Sequence, residues 1–214
     1  MARSNRSSVL FLTLALLPLV RIAEAQTPGE RVLEFTPFAG YQAGGGATSR
    51  QGQFSLDSSM SYGLMVDIRV RPDATLHAIW DRQDTVLDFR DNDPLFPRRV
   101  FLDVAVEYYH FGGTVEFPKE RLRPYIVLTV GATRFDVKLG GDFGDEWRFS
   151  VGFGGGLKTY VSDRFGFRFD ARVWPTFVNT SGGFFCSLPG ACLVSFEADA
   201  IVQANATAGF FLAF

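Results

Sequence analysis

Lysine is nearly missing from this 214-residue chain: Lys119, Lys138 and Lys158 are its only copies. No run of basic side chains occurs, and 21 Lys and Arg stand against 23 Asp and Glu, so the footprint of a nucleic-acid-binding protein is lacking. Histidine is confined to His77 and His110 and cysteine to Cys186 and Cys192. With so few nitrogen and sulfur ligands, and none clustered, neither a metal nor another cofactor is expected. No persuasive helical stripe is present. The one long apolar run, Val9–Val20, is shorter than the roughly 20 residues a spanning helix needs. A polytopic helical membrane protein is thereby excluded.

That apolar run has a different use. Arg3 and Arg6 precede it, and Ala23-Glu24-Ala25 follows, the pattern of a secretory signal peptide cleaved between Ala25 and Gln26. Residues 1–25 are therefore expected to be removed, leaving 26–214 as one domain; a retained anchor is the alternative. Removal takes away three Arg and one Glu and leaves a mildly acidic chain. In an exported protein, Cys186 and Cys192, six positions apart in a Gly- and Pro-containing stretch, suit a local disulfide that holds a loop's shape.

What the sequence has in plenty is phenylalanine, 23 residues, and glycine, 22. They fall into segments that alternate with period two. The last, Val194–Phe214, puts Val194, Phe196, Val202, Phe210, Leu212 and Phe214 on one side and Glu197, Asp199, Gln203 and Asn205 on the other. Successive strand side chains point to opposite faces, so one face is apolar to the chain's end. Seven further strands are predicted: Val32–Gln42, Phe54–Arg71, Ala74–Phe89, Arg99–Phe117, Pro124–Lys138, Trp147–Val161 and Arg164–Val178. In the fourth, Leu102, Val104, Val106 and Tyr108 are taken as the outward face, which forces a slip of phase near His110 and a bulge at Gly112-Gly113. The fifth is apolar on both faces, so its register stays open.

The connectors alternate long and short, the rhythm of an even-stranded up-and-down barrel with turns at one membrane face and loops at the other. The predicted fold is all-β: an eight-stranded antiparallel up-and-down transmembrane β-barrel. Its lumen would hold Asp67, Arg69, Asp81, Asp103, Glu107, Arg148, Lys158, Arg168, Asp170, Arg172, Glu197 and Asp199, of nearly balanced sign. A barrel this narrow has room only for its own side chains. A salt-bridge plug is the expected role, and a narrow ion or proton path the alternative. Two aromatic girdles are expected, one of Phe35, Phe117, Tyr125, Phe165, Phe167, Phe210 and Phe214, the other of Trp147, Phe149, Trp174, Phe177 and Phe196.

The stretches RPYIVLTVGATRF (Arg123–Phe135), GFGGGLKTYVSDRFGFRFDAR (Gly152–Arg172) and AGFFLAF (Ala208–Phe214) resemble the bacterial outer-membrane β-barrel family related to the OmpA transmembrane domain. The resemblance spans residues 30–214. It implies outer-membrane lipid as surroundings and an assembly machinery that reads Phe210, Leu212 and Phe214 as a C-terminal signal. The expected function is then that of a non-enzymatic outer-membrane protein, structural or acting on the surface through loops whose ligand the sequence does not name. A lipid-modifying enzyme, a small-solute channel and a soluble lipocalin-like barrel with reversed faces remain alternatives. His77 and His110, the only candidate bases for the enzyme, are both placed in the periplasmic half.

Overall fold

The computed structural model describes residues 32–48, 52–91, 99–117, 121–137, 145–178, 183–187, 191–195 and 200–214. The expected signal peptide with Ala25 and Gln26, and the residues Phe196, Glu197 and Asp199, lie outside them. In chain order the described strands are β1 (Leu33–Ala43), β2 (Gly46–Thr48), β3 (Gly52–Leu56), β4 (Ser59–Arg71), β5 (Ala74–Asp91), β6 (Arg99–Glu116), β7 (Leu122–Val137), β8 (Glu146–Tyr160), β9 (Phe165–Phe177), β10 (Gly183–Ser187), β11 (Ala191–Ser195) and β12 (Ala200–Ala213).

Eight of these form a closed ring. Antiparallel ladders join β1 to β4, β5, β6, β7, β8, β9 and β12 in turn, and β12 returns to β1 with pairs from Glu34–Ala213 to Ala43–Ala204. At the turn end, where Val32 N–H and Leu33 N–H donate to the Phe214 carbonyl, short connections such as Pro72-Asp73 and Val161–Arg164 link neighbours. A closed ring has no unpaired edge, the one way a sheet can satisfy its backbone inside a bilayer.

Two predicted strands are divided. Phe54–Arg71 is interrupted between β3 and β4, because β3 pairs with the far end of β5 one residue out of register with β4. Such a shift is a bulge, which lets the wall bend above its transmembrane part. The final predicted strand Val194–Phe214 likewise separates into β11, which forms a hairpin with β10, and the barrel strand β12.

Strand β6 departs most from expectation. Its ladders to β5 and β7 run without a break through Gly112 and Gly113, so there is no bulge. The inward residues are Leu102, Val104, Val106, Tyr108, His110, Thr114 and Glu116, all buried. The outward residues are Asp103, Ala105, Glu107, Tyr109, Phe111, Val115 and Phe117, with Phe111 68% exposed. Asp103 and Glu107 are therefore outside the barrel, not in the lumen. What changes along β6 is the surroundings rather than the register. Below Tyr109 the outward face is apolar and the inward face polar; above it the two exchange.

The same exchange occurs on the neighbouring strands. Outward on β5, Leu76, Ala78 and Trp80 give way to Arg82 and Asp84; outward on β7, Ile126, Leu128 and Val130 give way to Arg134 and Asp136. Inside, Leu56, Leu87, Leu102, Val104, Val106, Phe135, Val137, Val178 and Ile201 form one apolar core. The level of exchange carries Tyr41, Tyr62, Trp80, Tyr109, Trp147, Phe149 and Phe177, with Tyr62 edge-on to Trp80 and Tyr109 5.4 Å from Trp147. This is an interfacial girdle. Two residues expected in girdles are inside instead: Trp174 is fully buried and Tyr125 is 3% exposed, both on inward positions of their strands.

In proteoliposomes, Asp103→Cys should react with a water-soluble maleimide, Phe111→Cys only with an apolar one, and Leu102→Cys with neither. A reactive Leu102→Cys beside an inert Asp103→Cys would reverse the faces of β6.

Candidate functional site

The inward positions below the girdle carry most of the barrel's buried charge. At the turn end, Lys158 on β8 reaches Glu34 on β1 at 2.6 Å and Glu116 on β6 at 2.8 Å. Arg69 pairs with Glu34 at 3.1 Å, Arg123 with Glu116 at 3.4 Å, and Tyr160 Oη donates to Glu34 at 3.0 Å. Lys158 is fully buried, whereas Arg69 and Arg123 are partly open to the turn-end water. Burying a charge this deeply is tolerable only when partners replace its hydration.

One layer further in, Arg168 on β9 donates to Asp67 on β4 at 2.5 Å and, through Nε, to the Tyr125 hydroxyl at 2.7 Å. Tyr125 is also bonded to Asp170. Asp170 in turn receives Nε of Arg172 at 2.5 Å and Nη2 at 2.9 Å. Arg172 Nη1 lies 2.9 Å from His77 Nε2, and His77 Nδ1 lies 2.8 Å from Asp67. A guanidinium only donates, so His77 Nε2 accepts and its proton sits on Nδ1, facing Asp67. His77 is thus a neutral bridge between two ion pairs. Thr75 donates to Asp67 at 3.3 Å and is itself bonded to Thr114.

Aromatic rings cap the charged layers. Trp174 stacks on Tyr108 at 4.7 Å and meets His110 edge-on at 4.8 Å, and the Arg172 guanidinium stands 5.7 Å from the Trp174 ring. Gly152 on β8 makes this possible, since a Cβ there would come 2.5 Å from the indole. Tyr108 Oη donates to Gln203, Gln203 donates to Gln83, and Gln83 donates to the Asp57 carbonyl. Above this layer lies the apolar core. From the turn end upward, the lumen holds ion pairs, then stacked rings, then aliphatic packing.

The predicted lumen residues therefore divide. Asp67, Arg168, Asp170 and Arg172 meet in one cluster with Tyr125, and Arg69 and Lys158 meet in another at the turn end with Glu34, Glu116, Arg123 and Tyr160; the Lys158 ammonium lies 6.0 Å from the Tyr125 ring, between the two, and Glu34, Glu116, Arg123, Tyr125 and Tyr160 are the members that sequence reasoning missed. Glu34 has the inward parity of β1, so its role was legible. Glu116 was legible too, since Val115 and Phe117 on the outward face leave it inward. Arg148 is inward but higher, bonded to Glu146 near the loop end. Glu107 joins a separate outer-wall cluster, between Arg82 at 2.8 Å and Arg134 at 3.0 Å, with the Tyr109 hydroxyl at 3.0 Å. Arg134 also pairs with Asp145 at 2.5 Å. This cluster stands directly above Tyr109 and Trp147, where head groups replace hydrocarbon.

No family model matches the chain, and no curated protein matches it by sequence. Among solved structures, Neisserial surface protein A superposes with a TM-score of 0.56 at 14% identity, covering 85% of this chain and 97% of the other. The outer membrane protein OprG from Pseudomonas aeruginosa gives 0.55 at 12% identity, with 88% and 99% covered. This chain has the fold of the eight-stranded outer-membrane β-barrels. At these identities the likeness is one of fold. The apolar belt and its girdle independently require a bilayer around the barrel, because Phe111, Leu128, Phe153, Phe169 and Phe210 are all widely exposed on one continuous outer band.

Within the barrel neither histidine faces lipid. His77 is 2% exposed and His110 4% exposed. His110 is not in the turn-end half as expected, since its neighbour Tyr109 belongs to the girdle. It does form a base–hydroxyl pair, Nε2 to Ser150 Oγ at 2.8 Å, with Thr129 on Nδ1 at 3.3 Å. Both side chains are buried on the inward side of the wall, with Trp174 edge-on to His110. The ion pairs below them hold charges in place.

Lys158→Met should therefore cost about 3–5 kcal/mol, the range for removing one member of a buried ion pair, because Glu34 and Glu116 lose their shared cation. The urea midpoint of the folded-to-unfolded gel shift measures it; a loss under about 1 kcal/mol would mean that water replaces Lys158 readily.

Proposed function

We propose that this protein is a non-enzymatic integral outer-membrane barrel in which the ion-paired lumen serves as a structural plug and any biological contact is made by the part standing above the girdle. The observation that carries this is the exchange of faces on β5, β6 and β7. Below the girdle the inward face carries the ion pairs and the outward face is apolar. Above it the wall is built like a soluble β-barrel, with an apolar core and charges outside, such as the Arg99 guanidinium chelating Asp88 at 2.9 and 2.6 Å. A chain selected only to span a bilayer has no need of that extension; one that presents a surface beyond the membrane does.

The terminal residues Phe210, Leu212 and Phe214 supply the assembly signal on this view, and outer-membrane lipid and the assembly machinery are the partners. Their strand supports the proposal by forming the closing seam with β1. The hairpin of β10 and β11 places Cys186 directly opposite Cys192. In directly opposed antiparallel pairs the Cα atoms lie about 4.5–5.5 Å apart, within the span of a disulfide, so this exported hairpin is proposed to be cross-linked.

Three measurements test the proposal. Extracted without boiling, the protein should migrate as a compact species on detergent gels and shift on heating; a soluble periplasmic protein with no shift would overturn the placement. Conductance across planar bilayers should stay at background, and stable unitary steps would favour a channel. Thiol titration of unreduced, denatured protein should find no free sulfhydryl, whereas two per chain would remove the disulfide.

A further inference from the structure

The wall above the girdle is one-sided. A row of outward residues runs around the barrel at girdle level: Trp80 is opposite Tyr109, Tyr109 opposite Ala132, Ala132 opposite Phe149, and Phe177 opposite Ala200. The Phe149 and Phe177 rings stack at 5.9 Å and complete the row between β8 and β9. Strands β5 and β6 continue well past it, from Trp80 to Asp91 and from Tyr109 back to Arg99, with Arg82, Asp84, Asp103 and Glu107 outward. Strand β9 instead ends on the row at Phe177, and β12 begins on it at Ala200. Their outward side is apolar up to that level, with Phe177 and Val202 widely exposed.

The chain between these two ends carries the β10–β11 hairpin, which among the described residues pairs with no other strand. Phe184 is opposite Val194 and Cys186 opposite Cys192, so these positions share one face and Phe185 and Leu193 fall on the other. Both faces are thus assigned apolar residues. Neither strand contains a charged residue or Pro, the usual protection of a strand edge in water. In the sequence no Asp, Glu, Lys or Arg occurs between Arg172 and Glu197. The other connections at this end are charged: Arg50 and Asp57 between β1 and β4, Asp93 and Arg98 between β5 and β6, Lys138 and Asp142 between β7 and β8.

A hairpin of this composition is poorly matched to water. Two strands alone are marginal there, and laying one apolar face on the barrel mouth still leaves the other. It is equally unsuited to the hydrocarbon interior, where the backbone groups of its two edges would have no partner. The boundary between acyl chains and head groups meets both demands. It accepts aromatic and aliphatic side chains on one side, and offers water and polar head groups to the backbone on the other. The hairpin also springs from strands whose outward face already lies against lipid, so this placement continues an interface the barrel has. We infer that the β10–β11 hairpin is seated on the outer leaflet of the protein's own membrane beside β9 and β12, its Phe, Leu and Val residues at the acyl-chain boundary. This rests on the membrane reading above and narrows it: β3, β5, β6 and β7 are left as the wall presented to water.

The test uses the folded barrel in phosphatidylcholine nanodiscs, with single added cysteines carrying a nitrobenzoxadiazole fluorophore. Labelling is done without reductant, so that the proposed Cys186–Cys192 cross-link is kept, and the unsubstituted chain gives the background. Ser187→Cys and Ser195→Cys, which exchange only a hydroxyl for a thiol, and Phe185→Cys report on the hairpin. Phe169→Cys reports on the lipid belt and Asp103→Cys on the water-facing wall. A nitroxide borne on the lipid near its head group should quench the hairpin labels and Phe169→Cys several-fold more than aqueous iodide does, and Asp103→Cys should show the reverse. If Phe185→Cys does not give the heat-shifted species, the two serine positions decide. Hairpin labels quenched chiefly by iodide would overturn the inference. Labels reached by neither quencher would overturn it as well, and would place the hairpin on the barrel mouth or on a second copy. A Phe169→Cys label beyond reach of the lipid nitroxide would instead overturn the membrane reading itself.

Discussion

The seam between β1 and β12 is the constraint on which the rest of the structure depends. Inside hydrocarbon, an unpaired N–H or C=O has no water to turn to, so a sheet is stable there only when its first and last strands meet. Pairing from Glu34–Ala213 to Ala43–Ala204 closes that ring with the extreme C-terminal residues of the chain. Closure also fixes the lumen. The registers that join β1 to β4 and β12 bring Glu34 and Asp67 to the same interior as Lys158 and Arg168, residues about a hundred positions away along the chain.

Once closed, the barrel has a single inward face but two kinds of surroundings along its length. Where lipid lies outside, apolar side chains gain nothing by turning in, and the polar ones must. Where water lies outside, the usual preference returns and Leu102, Val104 and Phe135 form a core. The girdle of Trp80, Tyr109 and Trp147 marks the level at which one rule gives way to the other. The charged cluster around Glu107 sits immediately above it, the lowest place on the outer wall where paired guanidinium and carboxylate groups can remain hydrated.

Much of this is legible in the sequence itself. On β8, β9 and β12 both faces obey one rule through nearly their whole described length, so alternation alone gave the inward places of Lys158, Arg168, Asp170 and Arg172. On β6 the same method failed. It treats every apolar residue as facing the same medium, so it placed Leu102 and Phe111 on one face and needed a bulge to reconcile them. The unbroken ladder removes the bulge and returns Asp103 and Glu107 to the outside. Trp174 and Tyr125 show a related limit. An aromatic ring in a membrane barrel suggests a girdle, but these two fill lumen space left by Gly152 and Gly156 on β8.

By itself, then, the sequence determined the class of protein, the number and order of barrel strands and which sides of β8, β9 and β12 carry charge, because period-two patterning is a local property of the chain. Only the tertiary structure decided which charges meet. Partners such as Arg168 and Asp67 come together through the stagger of strands around a closed ring, which no local pattern encodes. It also decided where the membrane ends on β5, β6 and β7, since that boundary is set by what lies outside the wall.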